Sequence, residues 1–382
     1  GGFRKEYDGA QDYDFLLRLT DEPNRAVHHI PKVLYHWRKS AGSTSLNPDI
    51  KPAAEIGAKN ALADTLRRRK INGDVEYAGH KHFFRVRRRH TDELVSIIVP
   101  FKDQSELLKK CLAAISERTA HSHYEVIGIS NNSDSPHTFS LMQDIAEHNP
   151  KIRFVDQNIP FNFSSLVNFG VANASGGQIV LLNNDTEIIN WQWIDALLEH
   201  SQRHEIGVVG GKLYYPNNTI QHAGIIVGTN GYAGHAHKGR HSSDDGYFNR
   251  ASIIQNISAV TGAFMMFKRD VFDHLNGFDS SFAVACNDVD FCLRALEEGY
   301  SNVFTPYAQA YHHESASRGY DTATDKALRF LEEKSRFELR HRKILDQGDP
   351  FYNVNLSLTT ERFEVGHAGR LFYGDSCDRD SS

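Results

Sequence analysis

The chain has 382 residues, of which 40% are hydrophobic and 24% charged, with a formal net charge of -5; this is the balance of a globular protein with room for two to three domains of roughly 150 residues each, and it suggests no nucleic-acid partner. Four cysteines, Cys111, Cys286, Cys292 and Cys377, show no CxxC pairing, which argues against a disulfide framework or structural zinc and for a reducing cytosol. No apolar run approaches the roughly 20 residues that cross a bilayer, and the first residues lack the apolar centre of a signal peptide, so any membrane association is expected to be peripheral.

The start of the chain repeats a later part of it. GGFRKEYDGAQDYDFLLRL at Gly1 to Leu19 echoes NGFDSSFAVACNDVDFCLRAL at Asn276 to Leu296, and IPKVLYHWRKSAGS from Ile30 answers FTPYAQAYHHESAS from Phe304. The second match aligns Tyr35 with Tyr311 and His36 with His312. Two matches in the same order are the mark of an internal repeat. Residues 1–69 therefore read as the C-terminal fragment of an upstream sister domain, with Asp12 and His36 at positions equivalent to Asp288 and His312. Residues 70–94 carry a basic stretch that includes Lys70, Arg85, Arg87, Arg88 and Arg89. It reads as a solvated linker with an edge strand, or as a contact for anionic lipid or an acceptor phosphate.

From Val95 the pattern changes. VSIIVPF, to Phe101, is a continuous β-branched apolar run of the kind a strand buried on both faces requires. Helical spacing follows over Ser105 to Arg118, then a strand YEVIGIS at Tyr124 to Ser130 ending in NNSDSP, and a helix from His137 to His148. IRFVDQ from Ile152, a helix over Phe163 to Ala174, and the strand QIVLLNNDTEI at Gln178 to Ile188 continue the alternation. Such an order implies a mostly parallel α/β sheet with right-handed crossovers, whose ligands gather at the carboxyl ends of the strands. Those ends carry Phe101 to Asp103, Asn131 to Asp134 and Asn183 to Asp185.

Three segments can carry chemistry. Asp185, directly after an apolar strand, can hold a hard divalent cation against a diphosphate or simply turn the chain. In NDVDFCLRALEEGY from Asn287, Asp290 is assigned as the helix cap and Asp288 as a candidate base. AYHHESASRGYD from Ala310 puts His312 and His313 after a strand, with Arg318 available for a phosphate. VTGAFMMFKRDVF from Val260 reads as a core strand, with Gly262 permitting close approach. QHAGIIVGTNGYAGHAHKGRH, rich in glycine and histidine, is expected to be a mobile loop.

These blocks, with VVGGKLYYPNNTIQHAGIIVG and DPFYNVNLSL, resemble the family 2 glycosyltransferases of GT-A fold, especially bacterial O-antigen and rhamnan-type enzymes. The resemblance implies a Rossmann-like α/β fold with helices flanking a mostly parallel central sheet, complete over residues 95–345 and followed by an extension over 346–382 that is flexible at its end. It implies a nucleotide sugar against Pro100, Phe101, Asp103, Asn131, Asn132, Asn162, Asn168, Asn183, Asn184 and Arg318. NNDTE falls on the family's metal motif, with Asn183 where an aspartate is usual, so Asp185 with His312 would hold Mg²⁺ or Mn²⁺. Asp288 falls on the acceptor-activating aspartate, with Asn287 where the family usually has Glu. The activity so implied is inverting transfer to a cell-surface glycan or lipid-linked acceptor, in the cytoplasm or at the inner membrane face, beside a tandem domain upstream. The alternative is a catalytically weak GT-A scaffold or glycan-binding module.

Overall fold

The computed structural model describes residues 2–21, 27–36, 52–79, 82–313 and 324–366; the expected flexible end, from residue 367, lies outside these. It divides into two compact units, one holding the described residues of Gly1–Arg89 and the other His90–Val365.

In the first unit, helix α1 (Gln11–Leu19) packs on helix α2 (Pro52–Arg68). The fully buried Asp14 accepts from Arg18 Nε at 3.0 Å, one helical turn on, and from Arg4 Nε at 3.1 Å. The basic stretch is no open linker: β1 (Gly73–Tyr77) and β2 (Phe84–Arg88) pair antiparallel, from Gly73 opposite Arg88 to Tyr77 opposite Phe84.

The second unit begins with β3 (Val95–Phe101), all seven residues of which are buried. It lies parallel to β4 (Tyr124–Ser130), which lies parallel to β5 (Ile152–Asp156), while β6 (Gln178–Leu182) flanks β3 on its other side, also parallel. Helices α3 (Ser105–Glu117), α4 (Pro136–His148) and α5 (Phe163–Asn173) make the crossovers. The expected strand to Ile188 is interrupted: β6 ends at Leu182, the chain turns through Asn183 to Asp185, and β7 (Thr186–Ile188) leaves the sheet line. The polar run after Leu182 cannot continue a strand whose two faces are both core.

There follow α6 (Trp193–Ser201), β8 (Ile206–Tyr214), β9 (Ile220–His222), β10 (Ile225–Val227), β11 (Ala233–His235), β12 (Gln255–Ile257), β13 (Phe264–Lys268), α7 (Arg269–His274), α8 (Asn287–Glu297), β14 (Ser301–His312), α9 (Thr324–Arg340) and α10 (Arg342–Gln347). The central sheet runs β12-β14-β8-β13-β6-β3-β4-β5, with β7 on β14 and β9 on β8. Of these, β13 is antiparallel to both β6 and β8, and β14 is parallel to β8.

The sheet has a core on each side, as the two-residue period of its strands demands. Ile98, Ile127, Ile179 and Leu181 face Leu166, Val167 and Phe291. Ile97, Val99, Val126 and Leu182 face Leu108, Leu112 and Trp193. Cys111, Cys286 and Cys292 are buried and free. Among the described residues no helix is long and apolar enough to cross a membrane.

At Gly211 in β8 an added Cβ would come within 2.3 Å of the Phe264 ring and 2.8 Å of the Ala308 carbonyl oxygen. Neither neighbour has room to retreat, since both are buried. Gly211→Ala is predicted to lower stability by about 1–3 kcal/mol through overpacking, measured as a drop in the urea midpoint with unchanged slope.

Candidate active site

Two strands that are remote in sequence build the centre of the site. β7 pairs antiparallel with the end of β14, Thr186 opposite His312 and Glu187 opposite Tyr311, and the His313 N–H donates to the Asp185 carbonyl at 2.9 Å. This register puts His312 Nε2 3.1 Å from Asp185 Oδ1, both side chains nearly buried. The other ring nitrogen, Nδ1, lies 2.8 Å from Gln221 Oε1. A carbonyl oxygen can only accept, so Nδ1 carries a proton. In the neutral ring Nε2 then presents a lone pair, 3.3 Å from Asn183 Nδ2 and toward the Asp185 carboxylate. A lone pair facing an anion calls for a proton or a metal cation between them.

Asp288 lies at the start of α8, where the chain enters through Cys286 in the left-handed conformation (φ 61°, ψ 2°). Its Oδ2 accepts the Gly262 N–H at 2.8 Å, and its Oδ1 the Val289 N–H at 2.9 Å. A Cβ added at Gly262 would lie 3.4 Å from both Asp288 Cβ and the Phe163 ring, ordinary contact distances. Asn183, Gln221, Gly262, Asn287, Asp288 and His312 all border one pocket of about 170 Å³.

The remaining expected residues divide. Asp103 ties two strand ends together, accepting from the backbone N–H groups of Asp134 and Ser135 at 3.1 and 3.0 Å. Asn131 Nδ2 donates to the carbonyls of Gln157 and Ile159, and Asn132 Nδ2 also to Ile159. Pro100 and Phe101 are buried strand residues, the Phe101 ring set edge-on to Phe154 at 5.9 Å. Asn162 caps α5 by accepting from Ser165 N–H at 2.9 Å, and Asn168 both donates to and accepts from the backbone of Phe278. Both amides are thus engaged within the fold, outside the pocket that holds Asp288. Asn184 is buried beside Asp185, and its amide nitrogen has no hydrogen-bond partner among the described residues. Arg318 lies outside the described residues.

Two expectations need correction. Asp290 is not a cap: it is fully buried and accepts from Arg294 Nε at 2.8 Å, Arg340 Nη1 at 2.9 Å and His341 Nε2 at 2.9 Å. Two positions along a helix point to nearly opposite sides, so Asp290 faces inward where Asp288 faces the pocket. The glycine- and histidine-rich segment is not a mobile loop. β9 pairs with β8, and β10 with β11, and His222 is fully buried with Nδ1 2.9 Å from His235 Nδ1. Burial, with His235 and His312 nearby, holds His222 well below its ordinary pKa, so it is neutral. This segment supplies Gln221, His235 and Lys238 to the pocket; its histidine-rich composition marks His235, but no motif singles out Gln221 or Lys238.

Among the described residues no group of three or more His, Cys, Asp or Glu side chains gathers around one point. The residues that could hold a divalent ion are one carboxylate, Asp185, and one imidazole, His312. That set fits Mg²⁺ or Mn²⁺, which are commonly held by one or two protein groups with substrate phosphates completing the shell, and the orphaned Asn184 amide beside it is what a polar ligand would satisfy.

Residues 96–275 match the model of glycosyl transferase family 2. This chain carries a family 2 glycosyltransferase domain. It is similar to the uncharacterized protein y4gI of Sinorhizobium fredii, 38% identical over 95% of this chain and 40% of that protein. It is also similar to the O-antigen biosynthesis protein RfbC of Myxococcus xanthus, 37% identical over 94% of this chain and 28% of that protein. The chain thus spans less than half the length of either relative. Its fold is shared with GalNAc-T7, solved with UDP, GalNAc and Mn²⁺, at a TM-score of 0.54 and 12% identity over 67% of this chain and 49% of that one. The curled, mostly parallel sheet of this glycosyltransferase domain is the GT-A fold.

The Asp290 cluster yields a stability prediction. Burial opposes its charge, but His341, Arg294 and Arg340 together hold the carboxyl below its ordinary range. Asp279 is likewise drawn down to about 2, against burial, by the Ser281 N–H and Arg340. Groups depressed on folding stabilise above their unfolded pKa and lose that contribution as pH falls through the folded one. Stability should therefore be level above about pH 5 and decline from about pH 4 toward 2. Asp290→Asn, which takes the carboxylate from Arg294 and the buried His341 while Arg340 keeps Asp279, should cost about 3 kcal/mol at pH 7, read from urea melts at pH 7 and about pH 3.

Proposed function

We propose that this domain transfers a sugar, with inversion, from a nucleoside-diphosphate sugar to a hydroxyl of a growing cell-surface glycan, with Asp288 as the general base. The observation that carries the reading is that Asp288 and His312, 24 residues apart in sequence, border the same pocket, with Asp185 against His312. The O-antigen role in the name of RfbC supports the acceptor class. UDP, GalNAc and Mn²⁺ in GalNAc-T7 support the donor class and the ion.

The Gly262 N–H fixes one carboxylate oxygen of Asp288 and so sets the direction of its remaining lone pairs. As the acceptor oxygen attacks the anomeric carbon, Asp288 takes its proton, and the bond to the diphosphate breaks on the opposite face of the sugar. Lys238, Gln221 and Asn183 border the same pocket and offer one cation and two amides to the oxygens of the donor. Mg²⁺ or Mn²⁺ held by Asp185 and His312 would offset the charge that builds on the departing diphosphate. The Gln221 carbonyl keeps the Nδ1 proton of His312 in place, which leaves Nε2 as the ligand nitrogen.

On this reading the domain works beside a tandem partner and meets a lipid-linked acceptor from the cytoplasmic side. Support for the tandem comes from the repeat: the buried Asp14–Arg18 pair of α1 recurs as Asp290–Arg294 in α8, each one helical turn apart. The first unit carries the aspartate and histidine equivalents, Asp12 and His36.

Assayed on a panel of UDP-, dTDP- and GDP-sugars with and without Mn²⁺, the wild type is expected to show metal-dependent donor turnover. Asp185→Ala and Asp288→Asn should each reduce it by about 10²-fold or more. Full metal-dependent activity in both variants would overturn the metal-binding role of Asp185 and the base role of Asp288. Gln221→Leu is predicted to raise the Mn²⁺ concentration needed for half-maximal activity by about 10- to 100-fold.

A further inference from the structure

Asp288 is placed by the chain that leads to it, and that chain is gripped from two sides. On one side the start of α5 takes up its carbonyls and donates to them: Asn162 Nδ2 to Ser280 at 2.8 Å, Phe163 N–H to Ala283 at 2.7 Å, and Ser164 Oγ to Phe282 at 2.6 Å. On the other side lies Glu333 of α9, nearly buried. Its Oε1 accepts the N–H groups of Ala283 and Val284 at 2.9 and 3.2 Å, and its Oε2 accepts that of Ala285 at 2.7 Å. Three consecutive backbone N–H groups converging on one carboxylate form an anion-binding nest, here filled from within the same unit. Immediately afterwards the chain passes through Cys286 in the left-handed region, and Asn287 Nδ2 ties back to the Val284 carbonyl at 2.9 Å. Asp288 follows, and Val284 and Asn287 border the pocket themselves.

We infer that Glu333 is a positioning residue for transfer, its carboxylate in the nest of Ala283 to Ala285 setting the orientation of Asp288 and the adjoining pocket wall. The physical reason is that three parallel N–H groups repel one another unless an anion lies at their focus, and the conformation they impose is the one that turns the chain into α8 with Asp288 toward Gly262. A glutamine at 333 keeps the size but offers one accepting oxygen and turns an NH₂ toward N–H donors. It therefore opens the nest while sparing the helix. Glu333 makes no contact with the Asp185–His312 pair, so the donor end of the site should not feel the change.

The inference rests on Asp288 acting as the base, and the test keeps the two apart. Glu333→Gln and Glu333→Asp are compared with wild type and Asp288→Asn, using whichever nucleotide sugar the donor panel identifies, with Mn²⁺. Three quantities are read: turnover at saturating donor, affinity for that nucleotide sugar by calorimetry, and hydrogen exchange of the 283–285 amides. Glu333→Gln is expected to exchange those amides at least about 10-fold faster and to lose about 10- to 100-fold in turnover, with donor affinity within about 3-fold and an unchanged exchange rate in the β3 and β4 core. Glu333→Asp, which keeps the charge at shorter reach, should recover part of the turnover, and it carries the test alone if the Gln variant does not fold. Unchanged turnover with exposed amides would overturn the positioning role, as would losses of donor affinity and core protection in step with turnover. Full activity in Asp288→Asn alongside a fall in Glu333→Gln would instead overturn the base assignment and leave the loop's importance standing.

Discussion

The site depends on a three-residue pairing. β7 is short, stands apart from the line of the sheet, and meets the end of β14 only because the run after Leu182 turns rather than continues. That turn places Asp185 against the last residues of β14, so the register of one ladder fixes the distance between a carboxylate and an imidazole that are 127 residues apart in sequence. A slip of one residue would turn His312 to the other face of the strand and put Tyr311 in its place. Two further contacts hold the pairing: Thr186 donates to the Asn183 carbonyl at 2.6 Å, and Ile189 N–H to Gln309 at 3.0 Å. The histidine is then held at its far nitrogen by Gln221 from β9.

The parallel half of the sheet is legible in the sequence because burial on both faces leaves no choice of residue. VSIIVPF and QIVLL are apolar except at Ser96 and Gln178, whose side chains donate to Glu125 and Glu93, and the strand ends are marked by the first polar residues. The polar break at Asn183 to Asp185 is legible for the same reason, but the sequence alone runs the strand on to Ile188, because only the pairing of β7 with β14 separates the two. What could not be read is whatever depends on contacts far along the chain. β9, β10 and β11 have three residues each, too few for a period to show, and their glycines suggest a loop when taken alone. Gln221 looks like any surface glutamine until β9 is laid beside β8. The two aspartates of NDVDF are similarly ambiguous: a cap and a base are reasonable local duties, and the decision lies with Arg340 and His341, some 50 residues further on.

That decision has consequences for the charge of the pocket. Asp290 is matched by two arginines and a histidine below α8, so it contributes almost nothing to the field on the other side of the helix. The neighbouring position is Asn287, and the position before Asp185 by two is Asn183; the acids nearest along the chain are engaged elsewhere, Asp290 with Arg294, Arg340 and His341, and Glu187 beside Arg118 and His313. On the proposed function an incoming diphosphate meets one carboxylate, Asp288, and one ammonium, Lys238, on the pocket lining, while Asp185 lies against the lining residue His312. Fewer acids mean less repulsion of the donor before an ion is bound, and fewer protein oxygens to hold that ion once it is. The same substitution pulls in both directions, and the balance falls to His312. An imidazole is a neutral ligand, so it holds a cation without adding to the negative charge that the diphosphate must approach. Its usefulness depends on the Nε2 lone pair being presented, which the proton on Nδ1 secures through Gln221. On the proposed function, the amide of a three-residue strand would then bear on metal affinity as directly as a carboxylate does.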